Sequence, residues 1–249
     1  MEQIPNITTL RTICQATAPN PARESFTGKF SRRFSIYTTW LLLHTNITPN
    51  QITFLSVIIF FLGTACFFKL TFWWNLIGSL IIFFSIILDG SDGEVARFRK
   101  TAGLAGTNYV EPVSHDIQYG FMFPLLGLAL YWHGYPWWYL VLGAVASLTK
   151  LQYRFLEIRF WLLQNAKETI TDEKIKQIKD TFSLFPWWKK LFYWINKNFF
   201  SSTGVFLLIF ICTLFGRLDV YVWIFAVAYT VLWGMLFTKQ VVKIWMKIF

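Results

Sequence analysis

Charge is scarce in this sequence. Only 14% of its 249 residues are Asp, Glu, Lys or Arg, where an ordinary soluble domain carries about 25%. That shortage excludes a disordered chain and a typical cytosolic globule. Cysteine is scarce as well. Cys14, Cys66 and Cys212 stand far apart, with no CxxC and no metal-ligand spacing, which argues against a disulfide framework. Cys66 and Cys212 lie in apolar runs and read as packing residues. Residues 1–27 lack the apolar core and small-residue cleavage site of a signal peptide, so none is expected. No internal repeat or low-complexity segment is present.

What the chain has instead is apolar and aromatic surface. Hydrophobic residues make up 55% and aromatics 20%, with 13 Trp, 27 Phe and 10 Tyr. A bilayer core about 30 Å thick asks for roughly 20 apolar residues per helix. Six runs meet or approach that length, at about 52–68, 72–88, 117–132, 137–160, 199–215 and 220–242. The polar ends of the shorter runs must face protein or the interface. The expected fold class is therefore an all-α integral membrane protein with six transmembrane helices.

The net charge of +10 would suggest nucleic acid in a soluble protein. Here its distribution gives orientation. With the N-terminus inside, every Lys and Arg except Lys69 and Arg217 falls in an inner segment: 1–50, 89–105, 150–198 or the C-terminal tail. Both termini are thus expected in the cytoplasm, and no nucleic-acid partner is expected. The outer loops, near 69–71, 133–136 and 217–219, are too short to fold on their own. On the inner side, residues 28–44 mix basic and aromatic residues as an interfacial amphipathic helix does. Residues 166–198 start polar, as a surface helix, and end as an aromatic-and-lysine belt on the membrane. The division expected is a cytoplasmic N-terminal segment, 1–50, and a membrane domain, 51–249. Thr48-Pro49-Asn50-Gln51 predicts a capped helix start, with Pro at the first helical position and Gln three residues past the cap.

One short stretch is polar where it should be apolar. Of the 13 acidic residues, Asp89, Asp92, Glu94, Glu111 and Asp116 fall between 89 and 116, together with His115. Asp89 lies 17 residues past Phe72, or about 25 Å along a helix, and His115 lies 18 residues before His133, or about 27 Å. The two groups therefore reach the same depth on successive, oppositely directed spans. Asp89, Asp92, Gly93 and Ala96 share one helix face, and Arg97 closes that stripe with charge suited to phosphate. Glu111 and His115, four apart, share a face of the next helix. Glu94 points off the Asp89 face and is expected in solvent, and Asp116 is turned by about 100° from His115.

Hard oxygen donors from two helices suit Mg²⁺ or Mn²⁺, which can hold a diphosphate. His115 has the chemistry of a base for an alcohol. The alternative for this cluster is a buried polar contact with no chemistry, which the expense of intramembrane charge disfavours. Gly120 and Pro124 read as a packing contact and a kink in the third span.

At these residues the sequence resembles the CDP-alcohol phosphotransferase (CDP-alcohol phosphatidyltransferase) family. That family's pattern is D-x2-D-G-x2-A-R-x8-G-x3-D-x3-D. Asp89, Asp92, Gly93, Ala96, Arg97 and Gly106 match it in type and spacing, and the six-span plan and the T-P-N before the first span are similar too. The last two acids depart: Val110 and Ser114 stand in register, and a shift of one residue after Gly106 brings Glu111 and His115 to those places. The resemblance implies transfer of a phospho-alcohol group from a CDP-linked donor, usually CDP-diacylglycerol, to an acceptor alcohol with release of CMP, in phospholipid biosynthesis. It implies Asp89, Asp92, Glu111 and His115 at the metal, with Glu111 and His115 catalytic. It implies Gly93, Ala96, Arg97 and Gly106 around the nucleotide, and Lys150, Arg154 and Arg159 as candidates for an acceptor phosphate. It also implies a homodimer in the inner or plasma membrane. The competing classes are a diphosphate-using membrane prenyltransferase and a membrane protein that binds or transports without turnover.

Overall fold

A computed structural model describes residues 4–16, 25–101, 103, 106–165, 186–201 and 203–246. The polar helix expected from about 166 lies outside these residues. The described residues form nine α-helices and no strand: α1 (Ile7–Gln15), α2 (Phe26–Leu43), α3 (Pro49–Cys66), α4 (Phe72–Phe98), α5 (Glu111–Trp132), α6 (Trp138–Asn165), α7 (Trp187–Phe199), α8 (Gly204–Leu214) and α9 (Leu218–Trp245).

Their starts follow local chemistry. Asn6 and Ser25 accept hydrogen bonds from Thr9 N (2.9 Å) and Gly28 N (3.0 Å), satisfying amides that the first turns of α1 and α2 leave free. Thr48 and Gln51 form the reciprocal capping box at α3, with Pro49 inside the first turn. Between α3 and α4 a 3₁₀ turn over Phe67–Lys69 ends at Leu70 in the left-handed region, which reverses the chain in very few residues.

Among the described residues, three helices are long and apolar enough to cross a membrane: α3 with its 3₁₀ extension, α4 and α9. Helices α5 and α6 have the length, about 33 and 42 Å, but carry Glu111, His115 and Asp116, and Lys150, Arg154 and Glu157, along it. Residues 199–215 are not one straight span as the apolar run suggested. Helix α7 ends at Phe199, α8 begins at Gly204, and the two apolar pieces Lys190–Phe199 and Gly204–Leu214 meet at 76°. Gly204 packs against the backbone carbonyl of Asn198, where a Cβ has no room. The turn closes by Gly204 N donating to Ser201 O at 3.0 Å. Counted as one bent unit, this pair would be a fourth crossing.

The main packing partners are α3 with α4, α5 with α6, α6 with α9, and α2 with α4, while α1 also sits on α4. Lipid offers no hydrophobic drive between helices, so close approach of small residues must hold them. A Cβ on Gly63 of α3 would come within 2.8 Å of Gly78 O on α4. Gly127 of α5 meets the Tyr139 carbonyl in the same way, and Gly143 of α6 meets that of Phe123. Helix α5 runs through Pro124 without a break. Gly120 contributes its carbonyl, which accepts from Ser147 Oγ at 2.7 Å. The largest buried side chains, among them Phe60, Phe123, Tyr221, Phe225 and Tyr229, form one aromatic core between α3, α5 and α9. A smaller core joins Leu10, Cys14, Ile36, Val95 and their neighbours under α1 and α2. Large apolar side chains such as Phe54, Leu62, Trp73, Leu80 and Phe237 face outward, as a lipid-facing surface requires.

Candidate functional site

The end of the bundle holding the C-terminus of α4 and the N-terminus of α5 encloses a cavity of about 590 Å³. The chain enters α5 through a π-helical turn, Gly106–Val110. A turn closed at i+5 holds one residue more than an α-turn. This stretch, after which the sequence needs a shift of one residue, is therefore helical.

Asp89, Asp92, Gly93 and Arg97 line the cavity from α4, and Glu111 and His115 line it from α5. His115 Nε2 lies 3.5 Å from Asp89 Oδ2. On its other side, His115 Nδ1 is 3.4 Å from Gln118 Oε1, and the ring stacks on Tyr119 with centroids 6.1 Å apart. Asp92 accepts a short hydrogen bond from Thr53 Oγ1 of α3. Three polar residues of α3, Thr53, Ser56 and Thr64, are buried inside a mostly apolar run, and that misplaced polarity was a readable sign of Thr53.

Gly93 and Arg97 form a pair. The guanidinium lies across Gly93, where a Cβ would come within 3.2 Å of Nη1. Its Nε donates to Cys14 O at 2.6 Å. The last turn of α1 thus holds the arginine that faces the cavity. Ala96 and Gly106 do not line it.

Glu94 is not in solvent. It is 1% exposed and accepts from Gln15 Nε2 (2.8 Å), Ser35 Oγ (2.7 Å) and Thr39 Oγ1 (2.7 Å). The helical wheel correctly turned it away from Asp89. The face it occupies, however, is covered by α1 and α2, whose buried sides carry these donors.

Of the three basic residues of α6, only Lys150 reaches the cavity. Its ammonium lies 4.7 Å from the centre of the Tyr229 ring and 3.5 Å from Phe200 O. Arg154 pairs with Asp116 at 3.0 Å, and Arg159 lies over the Phe155 ring at 4.9 Å. Sequence reasoning missed the remaining walls: Arg32 of α2, Tyr229 of α9, and Tyr193, Asn196 and Lys197 of α7. Helix α7 is fastened to α2 by Asn198 Oδ1, which accepts from Phe26 N at 2.7 Å, and Ser25 Oγ lies 2.6 Å from Thr203 Oγ1.

The donor set suits a hard divalent cation. Asp89, Asp92 and Glu111 share one cavity, and Asp89 Oδ1 is buried without a hydrogen-bond partner among the described residues. As they stand, no three His, Cys, Asp or Glu side chains among the described residues converge closely enough to hold one ion.

Compared with known protein families, the chain matches the family model described as CDP-alcohol phosphatidyltransferase over residues 46–232. That range begins after α2 and includes the cavity-lining residues from Ile86 of α4 to Leu232 of α9. No curated protein matches the chain individually.

Proposed function

The chain belongs to the CDP-alcohol phosphatidyltransferase family, a family of transferases, and from that premise we propose that it moves a phosphatidyl group from CDP-diacylglycerol to an acceptor alcohol. In this reaction the acceptor oxygen bonds to the β-phosphorus, the bond from that phosphorus to the CMP oxygen breaks, and CMP leaves. The observation that carries the reading is the meeting of Asp89, Asp92, Glu111, His115 and Arg97 in one cavity.

Each of these residues has a part. Arg97, held by Cys14 O, binds diphosphate oxygens, and Gly93 leaves the space above its own backbone for that guanidinium. Asp89, Asp92 and Glu111 would hold Mg²⁺ or Mn²⁺, which supplies positive charge to the diphosphate when bound. Thr53 fixes the Asp92 carboxylate. His115 Nε2 takes the proton of the acceptor hydroxyl; Gln118 Oε1 accepts from Nδ1–H and so leaves Nε2 free as the base, and Asp89 stabilises the imidazolium that forms. His115 as a fourth metal ligand is the competing role. Lys150, among the aromatic rings, attracts an anionic acceptor. Arg154 and Arg159, being engaged with Asp116 and Phe155, act from outside the cavity. The π-turn after Gly106 absorbs the extra residue that sets Glu111 and His115 one place beyond the family pattern.

In the bilayer we place six crossings: α3, α4, α5, α6, the bent α7–α8 unit and α9. Helix α2 lies at the interface, and the cavity and both termini face the cytoplasm, following the positive-inside rule. The protein acts as a homodimer in this reading. The deciding experiment is CMP release by purified protein in lipid, given CDP-diacylglycerol, with and without Mg²⁺ or Mn²⁺, against a panel of acceptor alcohols. Release that needs both metal and one acceptor supports the proposal and names the acceptor. No release with any acceptor, despite measurable CDP binding, overturns it in favour of binding without turnover.

A further inference from the structure

The contact between α6 and α9 continues past the reaction cavity. Tyr229 and Leu232 of α9 line that cavity, while Leu236, Lys239, Gln240 and Lys243 line a second one of about 470 Å³. These positions recur every three or four residues, so they form a single stripe of α9 turned toward α6. Glu157 of α6 belongs to both cavities.

We propose that this second cavity binds the phosphate of an anionic phospholipid, with the two lysines on the phosphate and the acyl chains along the outer face of α9. Three observations converge on it. The first is charge. Lys239 and Lys243 are one helical turn apart, a like-charged pair that repels itself. With Glu157 the cavity wall keeps one net positive charge, the complement of one phosphodiester. The second is depth. Between Asp219 and Lys239, α9 holds no charged residue, an apolar stretch of about 28 Å by the helical rise. That nearly spans the hydrocarbon and brings both lysines to headgroup level. The third is preorganisation. Lys243 is held over the Phe160 ring with its ammonium 5.6 Å from the ring centre, and the buried Gln240 is fixed by its bond to Leu156 O at 3.2 Å. The flanking Phe237, Val241, Val242 and Ile244 are exposed and offer apolar surface to the acyl chains.

The inference needs α9 to cross the bilayer but does not need the transferase reading. Native mass spectrometry tests it on the full-length protein released from nanodiscs of phosphatidylcholine containing 30% phosphatidylglycerol. Wild-type protein should retain one phosphatidylglycerol in preference to phosphatidylcholine. Each lysine near a membrane surface is worth about a factor of five in affinity, so Lys239→Gln with Lys243→Gln should weaken retention roughly twenty-fivefold. CMP release in pure phosphatidylcholine should be unchanged. If the double variant fails to fold, Lys239→Gln alone should show a fivefold loss, and Leu236→Trp should block retention by filling the cavity with both lysines intact. Equal retention by wild type and these variants would overturn the proposal. So would loss of the retained lipid to an equimolar amount of free glycerol phosphate, which would show that the cavity takes the phosphate and not the lipid.

Discussion

Removing the carboxylate of Glu94 should loosen the whole N-terminal end of the fold. Glu94→Ala takes away the acceptor for Gln15, Ser35 and Thr39 at once. Hydrogen bonds to a charged group contribute about 1.5–3 kcal/mol each, so simple addition would exceed about 4.5 kcal/mol. Two of the donors have somewhere else to turn. Gln15 Nε2 also bonds Arg32 O at 2.8 Å, and Ser35 Oγ lies 3.4 Å from the same carbonyl. Thr39 loses its only side-chain partner among the described bonds. Allowing for these, the net loss should be about 3–4 kcal/mol, or about 10 °C in melting temperature at the usual 2–4 °C per kcal/mol for a chain of this size. The assay is thermal unfolding in detergent followed by tryptophan fluorescence, with limited proteolysis to monitor release of α1. Because α1 also supplies Cys14 O to Arg97, the KM for the CDP donor should rise with the loss of α1. Glu94→Gln, which keeps one acceptor, should fall about midway. A Glu94→Ala protein that melts within 1 °C of wild type, with α1 still protected, would refute the reasoning.

Other outcomes follow from the cavity. Asp92→Asn should insert normally and lower metal-dependent CMP release by about 10²–10³-fold, while Thr53→Val, which removes the hydroxyl that fixes Asp92, should cost about tenfold; turnover unchanged in Asp92→Asn would remove that carboxylate from the site. His115→Ala should depress the rate by about 10²–10⁴-fold near pH 7 and by less at high pH, where the acceptor hydroxyl needs less help; an equal loss at every pH would instead make His115 a ligand. Burial, with the nearby Glu94 charge second, pushes the Cys14 thiol up to about 11. The folded protein should therefore resist maleimide at Cys14 at pH 7.5, measured by mass of the labelled peptide, and Glu94→Ala should speed the labelling; rapid labelling of wild type would contradict the burial of α1.

The parts of the molecule that local rules govern were legible in the sequence. The Thr48–Gln51 box starts α3 as read, because capping involves only four successive residues. The meeting of Asp89 with His115 followed from counting residues along two antiparallel helices joined to short outer turns. Helical periodicity also placed Glu94 opposite the Asp89 face. It could not say that the opposite face is dry, since the covering residues, Gln15, Ser35 and Thr39, lie 55 or more positions away in sequence. The same reason hid Arg32, Tyr193 and Lys197. They reach the cavity from helices whose position depends on contacts such as Asn198 with Phe26 N, between segments 172 residues apart. The run 199–215 misled because hydropathy sums over a stretch and is blind to a bend, whereas Gly204 against the Asn198 carbonyl makes one. Arg154 read as a candidate for an acceptor phosphate, and the fold places it beside the cavity, paired with Asp116 of α5, a contact between helices that spacing along one helix does not show.

The glycine contact Gly63–Gly78 sits at the end of α3 and the start of α4, away from the cavity, and Gly127 and Gly143 meet their partner carbonyls in the half of α5 and α6 nearer that end. There the backbones touch and cannot slide, so this end acts as a fulcrum and the helices as lever arms. Thr53 stands ten residues from Gly63, about 15 Å at the helical rise, so a tilt of α3 by about 5° at the glycine moves Thr53 by about 1.3 Å against Asp92 of α4. Displacements near 1 Å are large on the scale of reacting geometry. Side-chain bulk added at the glycine end would therefore reset the spacing of the acidic groups from the opposite end of the bundle, without touching any residue that lines the cavity.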